Sequence, residues 1–256
     1  MKIMLTHSYK GGSGKTLFSI NVANSLVTEF GKRTLLIEAD FSMAAFQAIF
    51  PENKPDLFLN DFLNSSDNNL ENYIYPDTKS DFGIIYCDTN FKAKDQVHGS
   101  DQNFFLEKRK QLKVALKKLD YDYVIFDVTP GLHFFAINAI SLCDHIFLMA
   151  RPDIQNLNGL DLLLQKVFTK TVSLSRNSLK LYLIFNQLPK VDEMKGLLDR
   201  WSADLYTKYP FLQSIEGFYY EPETSYFTAT SQFILPKDDP TRREITNFIK
   251  RNLMKT

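Results

Sequence analysis

One short stretch constrains this chain more than any other: Lys10-Gly11-Gly12-Ser13-Gly14-Lys15-Thr16. It follows a run of apolar and β-branched residues and opens a helical pattern. The 256 residues include only 10 glycines, so a cluster of them here does not come from composition. Glycines let a backbone curl until several N–H groups point at one anion. A helix beginning near Thr16 adds the positive end of its dipole. In such a loop Lys15 reaches the β- and γ-phosphates of a nucleotide, and the Thr16 hydroxyl binds Mg²⁺. The plainer reading is a glycine turn between strand and helix. Average residue usage makes the pattern a chance event on the order of once in ten thousand such chains or less.

Around this loop the chain alternates. Met1–Ser8 reads as a strand and Thr16–Phe30 as a helix, with Phe18, Val22 and Leu26 spaced by four and Gly31 as its stop. Further strands are expected at Thr34–Glu38, Gly83–Cys87, Tyr123–Asp127, His145–Ala150 and Lys180–Phe185, with a short last one at Phe233–Leu235. Helices are expected at Asp101–Leu119, Phe134–Leu142, Asn156–Thr169, around Met194–Lys208 and at Thr241–Leu253, and Asp88–Ser100 reads as a long polar loop. Continuous apolar strands between helices predict an α/β fold, a mostly parallel twisted sheet with helices on both faces. No repeat or linker interrupts the pattern, so one domain over 1–256 is expected.

Composition removes several function classes. Lys plus Arg equals Asp plus Glu at 30 each, so net charge lends no support to tight nucleic-acid binding, and only a local basic patch stays open. Cys87 and Cys143 are far apart and form no CxxC, which argues against a disulfide framework or a cysteine metal site and for a reducing cytoplasm. His7, His98, His133 and His145 have no ligand spacing. No charged leader or cleavage site precedes the first strand, and no apolar run reaches the ~18 residues of a membrane span.

Where the strict phosphate-loop pattern has glycine this chain has Tyr9, and a second lysine, Lys10, stands at the loop's start. In this it resembles the deviant Walker A group of P-loop ATPases, which includes ParA, MinD, the nitrogenase iron protein and arsenical-pump ATPases. The resemblance spans Lys2 to Leu253 and is weak over Pro51–Phe82 and Lys190–Gly217. It implies a P-loop fold of the SIMIBI type, ATP and Mg²⁺ as cofactors, and slow, partner-stimulated ATP hydrolysis tied to an ATP-dependent homodimer. Lys10 matches the lysine that crosses to the partner's nucleotide, which would make turnover depend on dimerisation.

The resemblance carries further residues. In Glu38-Ala39-Asp40, Asp40 matches the switch I aspartate that orients the attacking water, directly or through the metal's water shell. Its plainer role is a cap at a strand end. Asp127-Val128-Thr129-Pro130-Gly131 resembles the Walker B and switch II region. Asp127 there holds Mg²⁺, and Gly131 lets the backbone approach the γ-phosphate. Asn186 matches an amide that reads the adenine edge, with a turn-forming Asn as the alternative, and Tyr220 lies in a loop beside the base. Asn21 matches a family asparagine with a structural role. The chain departs from the family with Glu38 for the first aspartate, Phe41-Ser42-Met43 for Pro-Gln-Gly, and Thr129 for a proline. Those changes leave open a second reading, a slow or non-enzymatic sensor that dimerises on ATP and binds a protein.

Two surfaces bear on partners. Lys108, Arg109, Lys110, Lys113, Lys117 and Lys118 form the densest basic patch, suited to DNA without sequence preference, or else a solvated helix face. The final helix sets Ile245, Phe248, Ile249 and Leu253 on one side among Arg242, Lys250, Arg251 and Lys255. That pattern fits a membrane surface but reads better as a core helix docked on the sheet. An activating protein partner is the remaining expectation.

Overall fold

The structure, a computed structural model, describes residues 1–66, 69–77, 81–88, 102–174 and 179–254. Among them one sheet has the order β3-β4-β2-β5-β1-β6-β7-β8. Its strands are β1 Lys2–His7, β2 Thr34–Ala39, β3 Tyr75–Pro76, β4 Gly83–Ile85, β5 Tyr123–Val128, β6 His145–Ala150, β7 Lys180–Leu188 and β8 Leu212–Tyr219. Every neighbouring pair is parallel except β3 with β4. The strands β2, β5 and β6 are buried along their whole length, as apolar runs covered on both faces must be.

Side chains alternate across the sheet, so adjacent residues feed two cores. Leu5, Ile37, Phe126 and Leu148 enter one, closed by α4 (Gln102–Leu116), α5 (Phe134–Ile140) and α6 (Ile154–Leu163). Met4, Leu36, Ile125 and Phe147 enter the other, closed by α1 (Lys15–Thr28) and α10 (Pro240–Asn252). Phe248 centres that second core, with ring centroids 5.6 Å from Phe147, 5.6 Å from Tyr182 and 6.1 Å from Phe18, all edge to face. Each such pair adds about 0.5–1.5 kcal/mol beyond its buried area. The last helix therefore spends its apolar side on the sheet. Even its Arg242 points inward, donating to the Leu235 carbonyl at 2.8 Å and the Thr28 hydroxyl at 2.9 Å.

Three expectations need correction. Phe233–Leu235 is not a strand. Its backbone polar groups are taken by the buried Asn21 amide, which donates to Phe233 O at 2.8 Å and accepts from Leu235 N–H at 3.0 Å. The last strand is instead β8, whose polar Gln213, Ser214 and Glu216 disguise it in the sequence. Asn186 does not follow β7 but lies inside it, next to an irregularity in the pairing with β8. Other bounds shift modestly. The helix expected at Asn156–Thr169 begins at Ile154 behind an Asp153 cap, then runs on through a π-helical turn, Leu164–Phe168, into α7 (Thr169–Leu174). The remaining helices are α2 (Phe46–Ile49), α3 (Leu59–Asn64), α8 (Asp192–Lys208) and α9 (Pro222–Ala229). The expected loop Asp88–Ser100 lies outside the described residues apart from Asp88. In the basic helix Leu112, Ala115 and Leu116 face the core while Lys110, Lys113, Lys117 and Lys118 are exposed.

Candidate functional site

β1 is flanked by β5 and β6, so the loop leaving His7 emerges centrally at the carboxyl ends of the parallel strands. That is where open α/β sheets hold ligands. Gly12 and Gly14 take φ of 76° and 89°, left-handed values that glycine adopts without strain. Gly14 ends the loop and starts α1, whose first turn has no side-chain cap. Its N–H groups are left for an anion. Lys15 lies 7 % exposed among them. The Tyr9 ring does not block the curl. It packs against α6 at Gly159, where a Cβ would come within 2.0 Å of the ring.

The loop is braced from β7. Asn186 Nδ2 donates to Ser13 O at 2.9 Å and Gln187 Nε2 to Gly12 O at 3.4 Å, Gln187 itself taking a left-handed φ of 62°. A Cβ on Gly14 would meet Asn186 Nδ2 at 2.3 Å. Beside this brace opens a cavity of about 330 Å³ lined by Gly12, Gly14, Lys15, Thr16, Asn186, Tyr220, Thr224 and Phe233. It runs from the loop to the segment between β8 and α9. Tyr220 and Asn186 thus share one wall, Asn186 with one amide hydrogen already given to the loop.

The oxygen groups meet at the helix start. Thr16 Oγ1 donates to Asp127 Oδ2 at 2.7 Å, and Ser19 Oγ to Asp127 Oδ1 at 3.4 Å. Burial pushes the Asp127 carboxyl up to about 6, with Lys15 and Thr16 pulling it back and Asp40 adding to the rise. Among the described residues no group of three or more His, Cys, Asp or Glu could hold a metal unaided. That donor set suits Mg²⁺, which keeps waters and binds through one or two carboxylates plus phosphates. Thr16 and Asp127 would hold it, with phosphate oxygens supplying the rest.

The segment after β5 is bonded to the start of the loop, and the segment after β2 to that after β5. Asp40 Oδ1 accepts from Ser42 N and Met43 N, both at 3.1 Å, closing a local turn rather than capping a helix, since α2 begins only at Phe46. Gly131, at φ 89°, donates its N–H to Ser8 O at 2.8 Å. Lys10 Nζ donates to Gln155 Oε1 on α6, away from the loop's interior.

Two site neighbours have roles that the sequence reading did not foresee. His7 Nε2 lies 2.9 Å from Gly131 O, and a carbonyl only accepts, so this nitrogen carries the proton. Burial and the nearby Lys15 push His7 down to about 4, keeping it neutral. Glu38, 1 % exposed, accepts from Ala45 N, Phe46 N and Cys87 N. Burial pushes its carboxyl up to about 7 against those three bonds. The sequence marks Glu38 only as a departure from the family pattern and gives His7 no role, because both act on backbone groups distant in the chain.

Residues 1–181 match the family model described as an AAA domain. The chain is 28% identical to a ParA family protein of Chlamydia trachomatis over 63% of its own length and 63% of that protein's. It therefore aligns with just under two thirds of that curated relative. Among solved structures it is similar to a plasmid partition protein from Borrelia burgdorferi bound to AMPPNP (TM-score 0.75, 19% identity, 97% of each chain). It is also similar to the septum site-determining protein MinD from Pyrococcus horikoshii complexed with Mg-ADP (TM-score 0.69, 18% identity, 99% of this chain and 96% of that one). On the family model and these likenesses, the chain belongs to the ParA/MinD family of P-loop ATPases.

Proposed function

We propose that this chain binds Mg-ATP at the loop Lys10–Thr16, dimerises on it and hydrolyses it slowly, as a cytoplasmic, single-domain switch that positions DNA or other cargo. The observation that carries the reading is the Thr16–Asp127 bond of 2.7 Å at the uncapped start of α1, beside buried Lys15. Backbone N–H groups of Gly11 to Lys15 bind phosphate oxygens, and Lys15 balances their charge. When bound, Mg²⁺ neutralises charge developing on the phosphates. Asn186 and Tyr220 flank the base. Asp40 turns from its own loop to accept a hydrogen bond from the attacking water, and Gly131 N–H leaves Ser8 O for the γ-phosphate.

Dimerisation is supported by exposed apolar groups on the segments and helix starts that follow β2, β5 and β6. Met43 is 80 % and Ile154 69 % exposed, with Leu132, Phe134 and Ile137 between a third and a half exposed. β5 and β6 flank β1 directly, and β2 lies beyond β5. Lys10 Nζ is bonded to Gln155 at the start of α6, and in a pair would serve the partner's nucleotide. The platform we favour is DNA, through Lys110, Lys113, Lys117 and Lys118, with an activating protein setting the rate. A membrane is less suited, since the last helix is docked.

The test is hydrolysis against protein concentration. Turnover per chain should rise with concentration and plateau as dimers fill, while sedimentation should report a dimer with ATP and a monomer with ADP. Constant turnover per chain would overturn the lysine supplied in trans. The engaged Asp40 and Gly131 favour one second reading, a sensor that binds ATP and barely turns over. ATP-dependent dimers without measurable hydrolysis, with or without DNA, would select it.

A further inference from the structure

The segment between β2 and α2 carries Asp40, and Glu38 stands just before it on β2. One Glu38 oxygen accepts from Ala45 N at 2.5 Å and Phe46 N at 2.8 Å, beyond the far end of that segment. The other accepts from Cys87 N at 3.1 Å, just past β4. The carboxylate therefore closes a ring around residues 39 to 44, with Asp40 inside it. The ring and its anchor at Cys87 are each tied outward. Thr129 donates through both N–H and Oγ1 to Ala39 O at 3.3 Å, and Asn60 Oδ1 on α3 accepts from Asp88 N at 2.9 Å. Charge-assisted bonds of this kind are the stronger ones, and buried N–H groups left without them have no substitute.

We propose that Glu38 is a positioning residue: its buried carboxylate anchors both ends of the Asp40 segment to the end of β4, presetting where Asp40 sits. Three donors from two separate segments explain the longer side chain. An aspartate, one methylene shorter, loses reach to at least one of them. An amide in its place keeps one accepting oxygen and turns an N–H₂ toward a donor. The anchoring stands on the geometry alone; its consequence for turnover rests on the proposed ATPase reading.

Glu38→Gln and Glu38→Asp in the full chain separate the two. In nucleotide-free Glu38→Gln, amide exchange over residues 41–50 should speed up by at least about tenfold, with residues 11–16 unchanged. ATP affinity should stay within about threefold while kcat falls by at least about tenfold, Glu38→Asp recovering part of the loss. Unchanged exchange over 41–50 would overturn the anchoring. Faster exchange with unchanged kcat would overturn the positioning role, as would equal losses of affinity and kcat. If wild type shows no hydrolysis, the ATPase reading has failed and the exchange result still decides the anchor. If Glu38→Gln does not fold, wild-type exchange at Ala45, Phe46 and Cys87 decides it: protection supports the anchor, fast exchange refutes it.

Discussion

In the phosphate loop, the groups that would face an anion are held open by neighbours; after β2 and β5, the corresponding groups are occupied by the protein itself. Asn186 and Gln187 brace the loop through the carbonyls of Ser13 and Gly12, leaving its N–H groups inward. Gly131 N–H, by contrast, is bonded to Ser8 O, and Asp40 caps its own turn. On the proposed reading, binding would ask for little rearrangement, and turnover would ask the segments after β2 and β5 to let go. That division is the behaviour expected of a two-state switch, where a ligand acts through its differential contacts with the two states.

Lys10 offers the sharpest way to break this comparison, because its backbone opens the phosphate loop while its side chain is bonded to Gln155 on α6. Lys10→Ala should lower kcat on the order of 10³-fold, as removal of a cation supplied in trans does. ATP affinity by calorimetry should hardly move. A parallel loss of affinity would place Lys10 in the binding half instead.

Next in size is a change beneath the cavity. Asn21→Ala strips the Phe233–Leu235 segment of its partners at 2.8 and 3.0 Å. It should cost about 3 kcal/mol in urea unfolding and loosen the cavity floor. A loss below about 1 kcal/mol would mean that the segment does not need that amide.

Gly14→Ala tests the brace. The left-handed φ of 89° costs an L-residue about 1–2 kcal/mol. Asn186 must also yield, since its Nδ2 lies 2.3 Å from the new Cβ. ATP should bind about tenfold more weakly, while hydrolysis per bound nucleotide falls less. Unaltered affinity would show that the brace is dispensable.

The smallest effect lies at the other end of the sheet. Burial and Lys180 push His145 down to about 4, with Lys2 adding to the fall, Asp144 opposing it and the Tyr182 hydroxyl 3.2 Å away. The unfolded histidine binds protons from about 6.5 downward, so the folded state holds fewer between there and about 4. Stability from this group is complete above that window and falls as pH drops through it, by about 1–2 kcal/mol between pH 7 and 5. His145→Gln should flatten that part of the stability profile. An unchanged slope would remove His145 as its source.

Much of this was readable beforehand, and the reasons differ by residue. The phosphate loop announces itself because its glycines and Lys15 act within seven consecutive positions. The central strands read correctly because burial on both faces leaves them uniformly apolar. β8 escaped because an edge strand tolerates Gln213 and Glu216. Phe233–Leu235 misled because its apolar side chains pack while a side-chain amide, rather than a strand, takes its backbone groups. The roles of Glu38, noted only as a departure from the family pattern, and of His7 stayed hidden because their partners are backbone groups as far away as Cys87 and Gly131, which no side-chain pattern records.

The most direct test is calorimetric titration of Mg-ATP into the wild-type chain and into Lys15→Ala. The account predicts saturable one-to-one binding to the first and a loss of about 100-fold or more in the second. Equal affinity in both, or no binding to the wild type, would contradict a phosphate loop built to receive the nucleotide.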